Sequence, residues 1–283
     1  MTVLVLGAHG QLGSAITRRF QRGGRVVAYG RAELDISDWA SVRPAIRAVG
    51  PTVIVNCAAY THVDRAEQEP GRAFQVNAGA VRWLARAAEE AGAILVHYST
   101  DFVFDGGSAT PYTETDVPNP QGAYAMSKLV GEWFAAEAPQ HYVLRVESLF
   151  GGVPARSSID RMRADMLRHR VVKAFADRTV SPSYVDDVAE ATGLLIKNRA
   201  PCGLYHCVST GQTNWWSLAK ELARLIARPD ATIVPTSLSD ARLYPPRPLH
   251  AALSNAKLRQ VGIVMPTWQD ALMRHVQAPP PPS

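Results

Sequence analysis

The chain lacks several features that would place it outside the ordinary globular enzymes. It has no run approaching the roughly 18 consecutive apolar residues of a bilayer-spanning helix, so no membrane partner is expected. Its three cysteines, Cys57, Cys202 and Cys207, have no zinc-site spacing and are an odd number. They suit reduced thiols, and no metal site is expected. Lysine is scarce, with five of the 30 basic residues, and the rest are arginines spread along the chain. The net charge of +5 therefore gives no dense basic block. The richest stretch, Arg161 to Lys173 with Arg163, Arg168, His169 and Arg170, is expected on a helix. It carries no nucleic-acid-binding motif and reads as a solvated face or an anionic-substrate rim, so nucleic acid is not an expected partner. Internal repeats are absent. The opening apolar run is too short for a signal peptide and has no positive flank, so a cytoplasmic location is expected.

What remains is ample material for a core. A chain of 283 residues with 47% hydrophobic content can form one large domain or two smaller ones. Strand and helix signals alternate through the first half. Val3–Leu6, Arg25–Tyr29, Val53–Val55 and Ile94–Tyr98 read as strands. Gln11–Arg22, Asp38–Val49 and a long stretch from about Gly71 to Ala91 show helical spacing. Strands separated by helices predict an α/β fold with a doubly wound parallel sheet. After about residue 150 prolines gather, and Trp215 and Trp216 open a helical stretch through Ala227. Residues 1–150 are thus expected to bind a cofactor. Residues 151–277 are expected to form mainly a smaller substrate-binding region, with some segments returning to the first domain. Residues 278–283 are expected to be a disordered tail.

The first chemical signal is Gly7-Ala8-His9-Gly10-Gln11-Leu12-Gly13, between a strand and a helix. Gly7 permits a tight turn, Gly10 lets backbone approach a pyrophosphate, and Gly13 allows close helix–strand packing. The helix N-terminus then offers N–H donors to phosphate, so a Rossmann-type dinucleotide site is expected. After the second strand comes Tyr29-Gly30-Arg31, with no carboxylate before Glu33 and Asp35. Arg31 either pairs with a 2′-phosphate, which favours NADPH over NADH, or is merely solvated. His9 reads as a surface-turn residue.

The second signal is Tyr124-Ala125-Met126-Ser127-Lys128. Residues four apart share a helix face, so phenol and ammonium can point into one space. A cation beside a tyrosine favours phenolate and makes the pair an acid–base device. Upstream, Ser99 and Thr100 end a strand, where they either hydrogen-bond a ligand carbonyl or only cap the strand.

Together these stretches resemble the extended short-chain dehydrogenase/reductases, and more narrowly the dTDP-4-dehydrorhamnose reductase family. The similarity is carried by GAHGQLG (7–13), LDISD (34–38), VNCAAYTHVDRAEQEP (55–70), VNAGAV (76–81), HYSTDFVFDG (97–106), PYTETDVPNPQGAYAMSKLVGE (111–132) and LR (144–145). It continues more loosely through SPSYVDDVA (181–189), RP (247–248) and ALSNAKL (252–258). The resemblance implies NADPH-dependent reduction of the C4 ketone of a nucleotide-activated 4-keto-6-deoxysugar. Tyr124 would deliver a proton to the C4 oxygen. Lys128 would hold the nicotinamide ribose and lower the Tyr124 pKa. Thr100 would orient substrate and Tyr124, with Asp101 and Val103 among the substrate contacts. Gly10, Gln11 and Leu12 would meet the cofactor phosphates, Asp35 and Ile36 the adenine, and Ala58, Ala59 and Tyr60 the nicotinamide half. Arg178 and Arg247 are either pyrophosphate or substrate contacts or plain surface arginines. The assembly is compatible with a homodimer.

Three positions qualify the resemblance. Related dehydratases carry a glutamate base directly after Thr-Asp, and here that residue is Phe102, so dehydration is not expected. After Leu144-Arg145 the family usually reads Thr-Ser-Trp-Val-Tyr-Gly. Here the stretch reads Val146-Glu147-Ser148-Leu149-Phe150-Gly151, with a glutamate and without the tryptophan thought to pack on the sugar, so another 4-keto-6-deoxysugar or another C4 stereochemistry is expected. Two alternatives stay open. One is a non-catalytic NADP-binding subunit like the regulatory subunit of methionine adenosyltransferase. The other is a sugar-nucleotide epimerase that recycles its cofactor.

Overall fold

The computed structural model describes residues 1–241 and 243–278. The tail expected to be disordered lies, beyond Ala278, outside the described residues. Six strands form one parallel sheet: β1 (Thr2–Leu6), β2 (Arg25–Tyr29), β3 (Val53–Asn56), β4 (Ile94–Thr100), β5 (His141–Val146) and β6 (Gly203–His206). Their spatial order is β6-β5-β4-β3-β1-β2. The chain runs outward from β1 to β2 and then returns to β3 on the other side of β1. That reversal opens a crevice at the carboxyl ends of β1 and β3, where such sheets bind ligands.

The principal helices are α1 (Gln11–Gln21), α2 (Trp39–Val49), α3 (Ala80–Ala91), α4 (Ala123–Ala135), α5 (Ser158–Leu167), α6 (Val185–Lys197), α7 (Trp215–Leu225) and α8 (Trp268–Gln277). They explain why the strands are apolar at nearly every position. Val3, Val5, Val53, Val55 and Val96 point to one face and pack with Ile16 and Phe20 of α1 and Val188 and Leu195 of α6. Leu4, Leu6, Ile54 and Leu95 point to the other and meet Val42 and Ile46 of α2 and Val81 and Leu84 of α3. A sheet covered on both faces cannot alternate polar and apolar residues. Each such side chain contributes about 1.5–3 kcal/mol when fully buried.

The long helix expected from Gly71 to Ala91 has a break in its hydrogen bonding. Pro70–Phe74 is α-helical, Gln75–Gly79 widens to a π turn, and α3 follows. The widened turn turns Asn77 inward, where it is 1% exposed. Its amide accepts from Tyr60 N (2.8 Å) and donates to the Tyr60 carbonyl (3.0 Å) and Ser127 Oγ (3.0 Å). Such turns recur at functional sites because they re-aim a side chain without ending the helix.

The second half builds its own apolar cluster from Phe150, Ile159, Met166, Leu218, Leu222 and Trp268, on α5, α7, α8 and their approaches. It also supplies β6 and α6 to the first half. The basic stretch expected as one helix is divided. A capping box of Ser157 and Asp160 starts α5, which ends at Leu167. His169 turns at φ 53°, and Lys173 lies in the strand Val172–Phe175. The left-handed residue stops the helix, so these arginines share no continuous face. Among the described residues no helix is long and apolar enough to cross a membrane.

Candidate active site

The glycine loop sits where β1 meets α1. Gly7 has φ 72°, and a Cβ there would lie 2.6 Å from Ala58 N. A Cβ on Gly13 would lie 2.1 Å from the Gly7 carbonyl oxygen. The N-cap of α1 is Gly10, no side chain caps it, and no acidic residue sits in the first turn. The first N–H groups of α1 are therefore left for an anion. We expect Gly13→Ala to weaken NADPH binding at least about tenfold and to lower the melting temperature, because overpacking this contact costs about 1–3 kcal/mol. An unchanged Kd in a fluorescence titration would sink this reading of the loop.

A cavity of about 540 Å³ runs from this loop along the strand ends. Gly7, Gly10, Gln11, Leu12 and Gly13 line one end, with Arg31, Asp35 and Ile36 beside them. Ala58, Ala59 and Tyr60 line the middle, and Ser99, Tyr124, Lys128 and Leu149 the far end. Every residue expected to meet the cofactor thus borders one space. Arg31 sits exposed at the rim, 3.3 Å from Asp35. The Asp35 carboxylate is held below its usual range, chiefly by the Ser37 hydroxyl at 2.7 Å. Glu33 turns back to accept from Gly30 N (2.5 Å) and lies 3.5 Å from His9.

Tyr124 and Lys128 stand one turn apart on α4. Glu67 accepts from Ala123 N at the start of that helix (2.6 Å). Ser127 donates to the Tyr124 carbonyl (2.7 Å) and accepts from Asn77, so the π turn and α4 hold each other in place. Lys128 is 2% exposed; it donates to the Tyr98 carbonyl (2.5 Å) and lies 3.5 Å from His97 Nε2. Burial lowers its pKa to about 8, against the raising effect of Glu132 one turn on.

The expected effect of Lys128 on Tyr124 is not what this structure displays. Burial, and then the Asp101 carboxylate, push the Tyr124 phenol up to about 12, against the lowering effect of the Thr100 hydroxyl. The ammonium is turned onto the Tyr98 carbonyl, so desolvation prevails. A neutral phenol is the protonated state that an acid in a reduction requires.

The expected substrate contacts divide. Thr100 is 6% exposed and donates to Asp101 Oδ1 (2.9 Å). Asp101 is 3% exposed and faces Arg178 at 3.5 Å, so its carboxylate is turned into protein rather than into the cavity. Val103 is fully buried with Phe104, Tyr112, Leu129 and Leu253, so its side chain serves the core and not a ligand. Arg178 also donates to the Pro248 carbonyl (3.2 Å), and its guanidinium lies 5.5 Å from the Phe102 ring centroid. Arg247 lies 5.8 Å from the same ring, donates to the Pro245 carbonyl (2.7 Å) and ion-pairs with Asp64. Both arginines are engaged within the protein rather than plainly solvated. Phe102 packs edge-on against Tyr124, with centroids 5.7 Å apart.

With this geometry in place, known proteins can be compared. The family model described as the RmlD substrate binding domain matches residues 1–279. The chain belongs to this family. A dTDP-4-dehydrorhamnose reductase of Streptomyces griseus is 36% identical over 279 residues, covering 95% of this chain and 91% of the relative. A Streptomyces antibioticus protein named as a probable dTDP-4,6-dihydroxy-2-methyloxan-3-one 4-ketoreductase is 34% identical over 278 residues, covering 96% and 93%. Among solved structures, the dTDP-4-dehydrorhamnose reductase of Bacillus anthracis in complex with NADP superposes with a TM-score of 0.92 at 30% identity, covering 97% of this chain and 98% of that one.

Three polar residues of this site in the RmlD-family chain carry no motif of their own. Asn77 is one, and its signal was a polar residue on an otherwise apolar helix face. His97 is another: it is 1% exposed, receives a hydrogen bond from Asn56 Nδ2 (3.2 Å) and flanks Lys128. Glu147 is the third. Its only sequence signal is a glutamate in a stretch that usually has none, and it is 1% exposed, where the Asp101 and Arg178 charges act on it.

Proposed function

We propose that this chain reduces the C4 ketone of a nucleotide-activated, dTDP-linked 4-keto-6-deoxysugar, with NADPH as the reductant. The observation that carries the reading is one cavity with a phosphate cradle at one end and the Tyr124–Lys128 pair at the other. The glycine loop and the open first turn of α1 fit a pyrophosphate, Arg31 a 2′-phosphate, and Ala58, Ala59 and Tyr60 the nicotinamide half. When bound, NADPH supplies the hydride. Lys128 holds the ribose, and Tyr124 gives its phenolic proton to the C4 oxygen. Thr100 and Phe102 hold the phenol from two sides, so the chain contributes orientation and a placed proton. Residues 151–277 contribute mainly to the sugar-nucleotide side, with Arg178 and Arg247 bordering it through Phe102.

Leu149 at the cavity wall favours a sugar that needs no aromatic platform. The reductase reading requires net NADPH oxidation when dTDP-4-keto-6-deoxysugars are supplied to the purified protein. NMR of the product assigns its C4 configuration, and a parallel assay with NADH tests the role of Arg31. An epimerase would interconvert sugars with no net loss of NADPH. A regulatory subunit would bind NADPH and consume none with any keto-sugar, which would sink the proposal.

A further inference from the structure

Behind Tyr124, outside the cavity, lies a buried acid cluster that the reaction described above does not use. Asp101 and Glu147 are 3% and 1% exposed. Asp101 Oδ1 accepts from Thr100, and Glu147 Oε2 accepts from Ser181 N (2.7 Å). Their remaining oxygens, Asp101 Oδ2 and Glu147 Oε1, are both buried with no hydrogen-bond partner. Among the described residues one cation, Arg178, faces the two carboxyls. Two carboxylates against one guanidinium would leave a buried charge uncompensated, which is costly. Asp101 and Glu147 directly follow Thr100 and Val146, which are partners across β4 and β5, so one proton held between the carboxyls removes that charge and gives the orphaned oxygens a partner.

We propose that Asp101 and Glu147 hold one proton between them and use it to re-protonate Tyr124 through the Thr100 hydroxyl. This rests on the reductase reading. In each turnover the Tyr124 O–H bond breaks as its proton passes to the sugar oxygen. The phenolate then takes the Thr100 hydroxyl proton, and Thr100 takes the pair's proton from Asp101 once that carboxyl has rotated to carry it from the Oδ2 side to the side facing Thr100. The pair, left as two carboxylates beside Arg178, regains one proton from water. One O–H bond is broken and one made at each step, and no electron moves. The groups facing the pair are Thr100, Tyr124, Arg178 and the Ser181 amide. Burial raises both carboxyls, Glu147 well above the usual carboxylate range with Asp101 adding to it, while Arg178 pulls both down. The stretch Thr-Ser-Trp-Val-Tyr-Gly usual in the family holds no carboxyl, so the reservoir belongs to this chain's own Glu147.

Infrared difference spectroscopy of the wild-type protein against Glu147→Gln tests the pair without substrate. The wild type should show the carbonyl stretch of a buried protonated carboxylic acid at neutral pH, and E147Q should lose it. Absence of the band in the wild type overturns the proposal. Rapid mixing with NADPH and keto-sugar then tests the relay. In E147Q the first turnover, which uses a proton already on Tyr124, should keep its rate within about a factor of two, while steady-state turnover falls about tenfold. NADPH oxidation should then begin with a burst of one equivalent per site, and KM should fall along with kcat so that kcat/KM stays near the wild-type value. Equal losses in both phases, or none, would overturn the relay, since a merely structural residue gives no burst. Failure of the reductase reading is distinct: the wild type would show the band yet oxidise no NADPH, leaving the acid pair standing and the relay role excluded.

Discussion

Tyr124→Phe is expected to lower kcat about 10²–10⁴-fold, the range attributed to a positioned general acid, while NADPH binds nearly as well as before. The reason is geometric. The phenylalanine ring keeps the buried contact with Phe102 and leaves the ties of Ser127 to Asn77 and the Tyr124 carbonyl unchanged. Only the oxygen beside Thr100 disappears, and with it the proton destined for the sugar. The cofactor wall retains Gly7–Gly13 and Lys128. Because the phenol is held up to about 12, it is protonated throughout the neutral range, so its own ionisation should not limit reduction there. Steady-state assays with fluorescence titration of NADPH separate the two effects. Near-normal turnover would remove Tyr124 from its role. A parallel loss of cofactor affinity would mean that the helix had moved.

Glu132→Ala should destabilise the fold by about 3–5 kcal/mol, the cost of leaving one member of a buried ion pair alone. Arg145 on β5 is 2% exposed and bonds both Glu132 oxygens, at 2.8 and 2.7 Å. Its guanidinium also covers the Phe104 ring, 4.9 Å from the centroid. Truncating Glu132 strands that guanidinium between α4 and the sheet. The same change removes a charge that supports protonation of Lys128, one turn away. Urea denaturation monitored by circular dichroism gives the loss directly. The double variant Glu132→Leu with Arg145→Met should recover much of it, because paired removal leaves no orphaned charge. A loss below about 1 kcal/mol for Glu132→Ala would show that Arg145 had found another partner.

The parts legible in the sequence were those whose signal is local. The strands β1 to β4 are spelled by short apolar runs and the helices between them by a period of 3.6 residues. The loop Gly7–Gly13 announces itself because glycine is needed where Gly7 and Gly13 touch backbone. Tyr124 and Lys128 share a face by spacing alone. What escaped is assembled over long separations. β5 carries the buried Arg145, which interrupts its apolar run, and β6 has four residues that become a strand only by pairing with β5. The π turn at Asn77 leaves helical periodicity nearly intact. The Asp101–Glu147–Arg178 cluster joins three segments, so its chemistry shows only once they meet. Spacing likewise could not show that Lys128 turns toward the Tyr98 carbonyl, nor that Val103 points into the core.

The return of α6 and β6 to the first half also fixes an order of events during synthesis. Until His206 has emerged from the ribosome, β5 is an open sheet edge with unpaired backbone groups, the kind of edge that invites pairing with other chains. The sheet face beneath α6, with Val5, Val96 and Leu144, likewise has no cover, and α1 lacks the Arg19–Glu190 contact that seats α6 on it. Residues 1–150 on their own would therefore be a sticky nascent fragment rather than a free-standing nucleotide binder. The cofactor half becomes a finished object only after roughly three-quarters of the chain exists, a delay that exposes it to misassembly and makes it a natural client for chaperones.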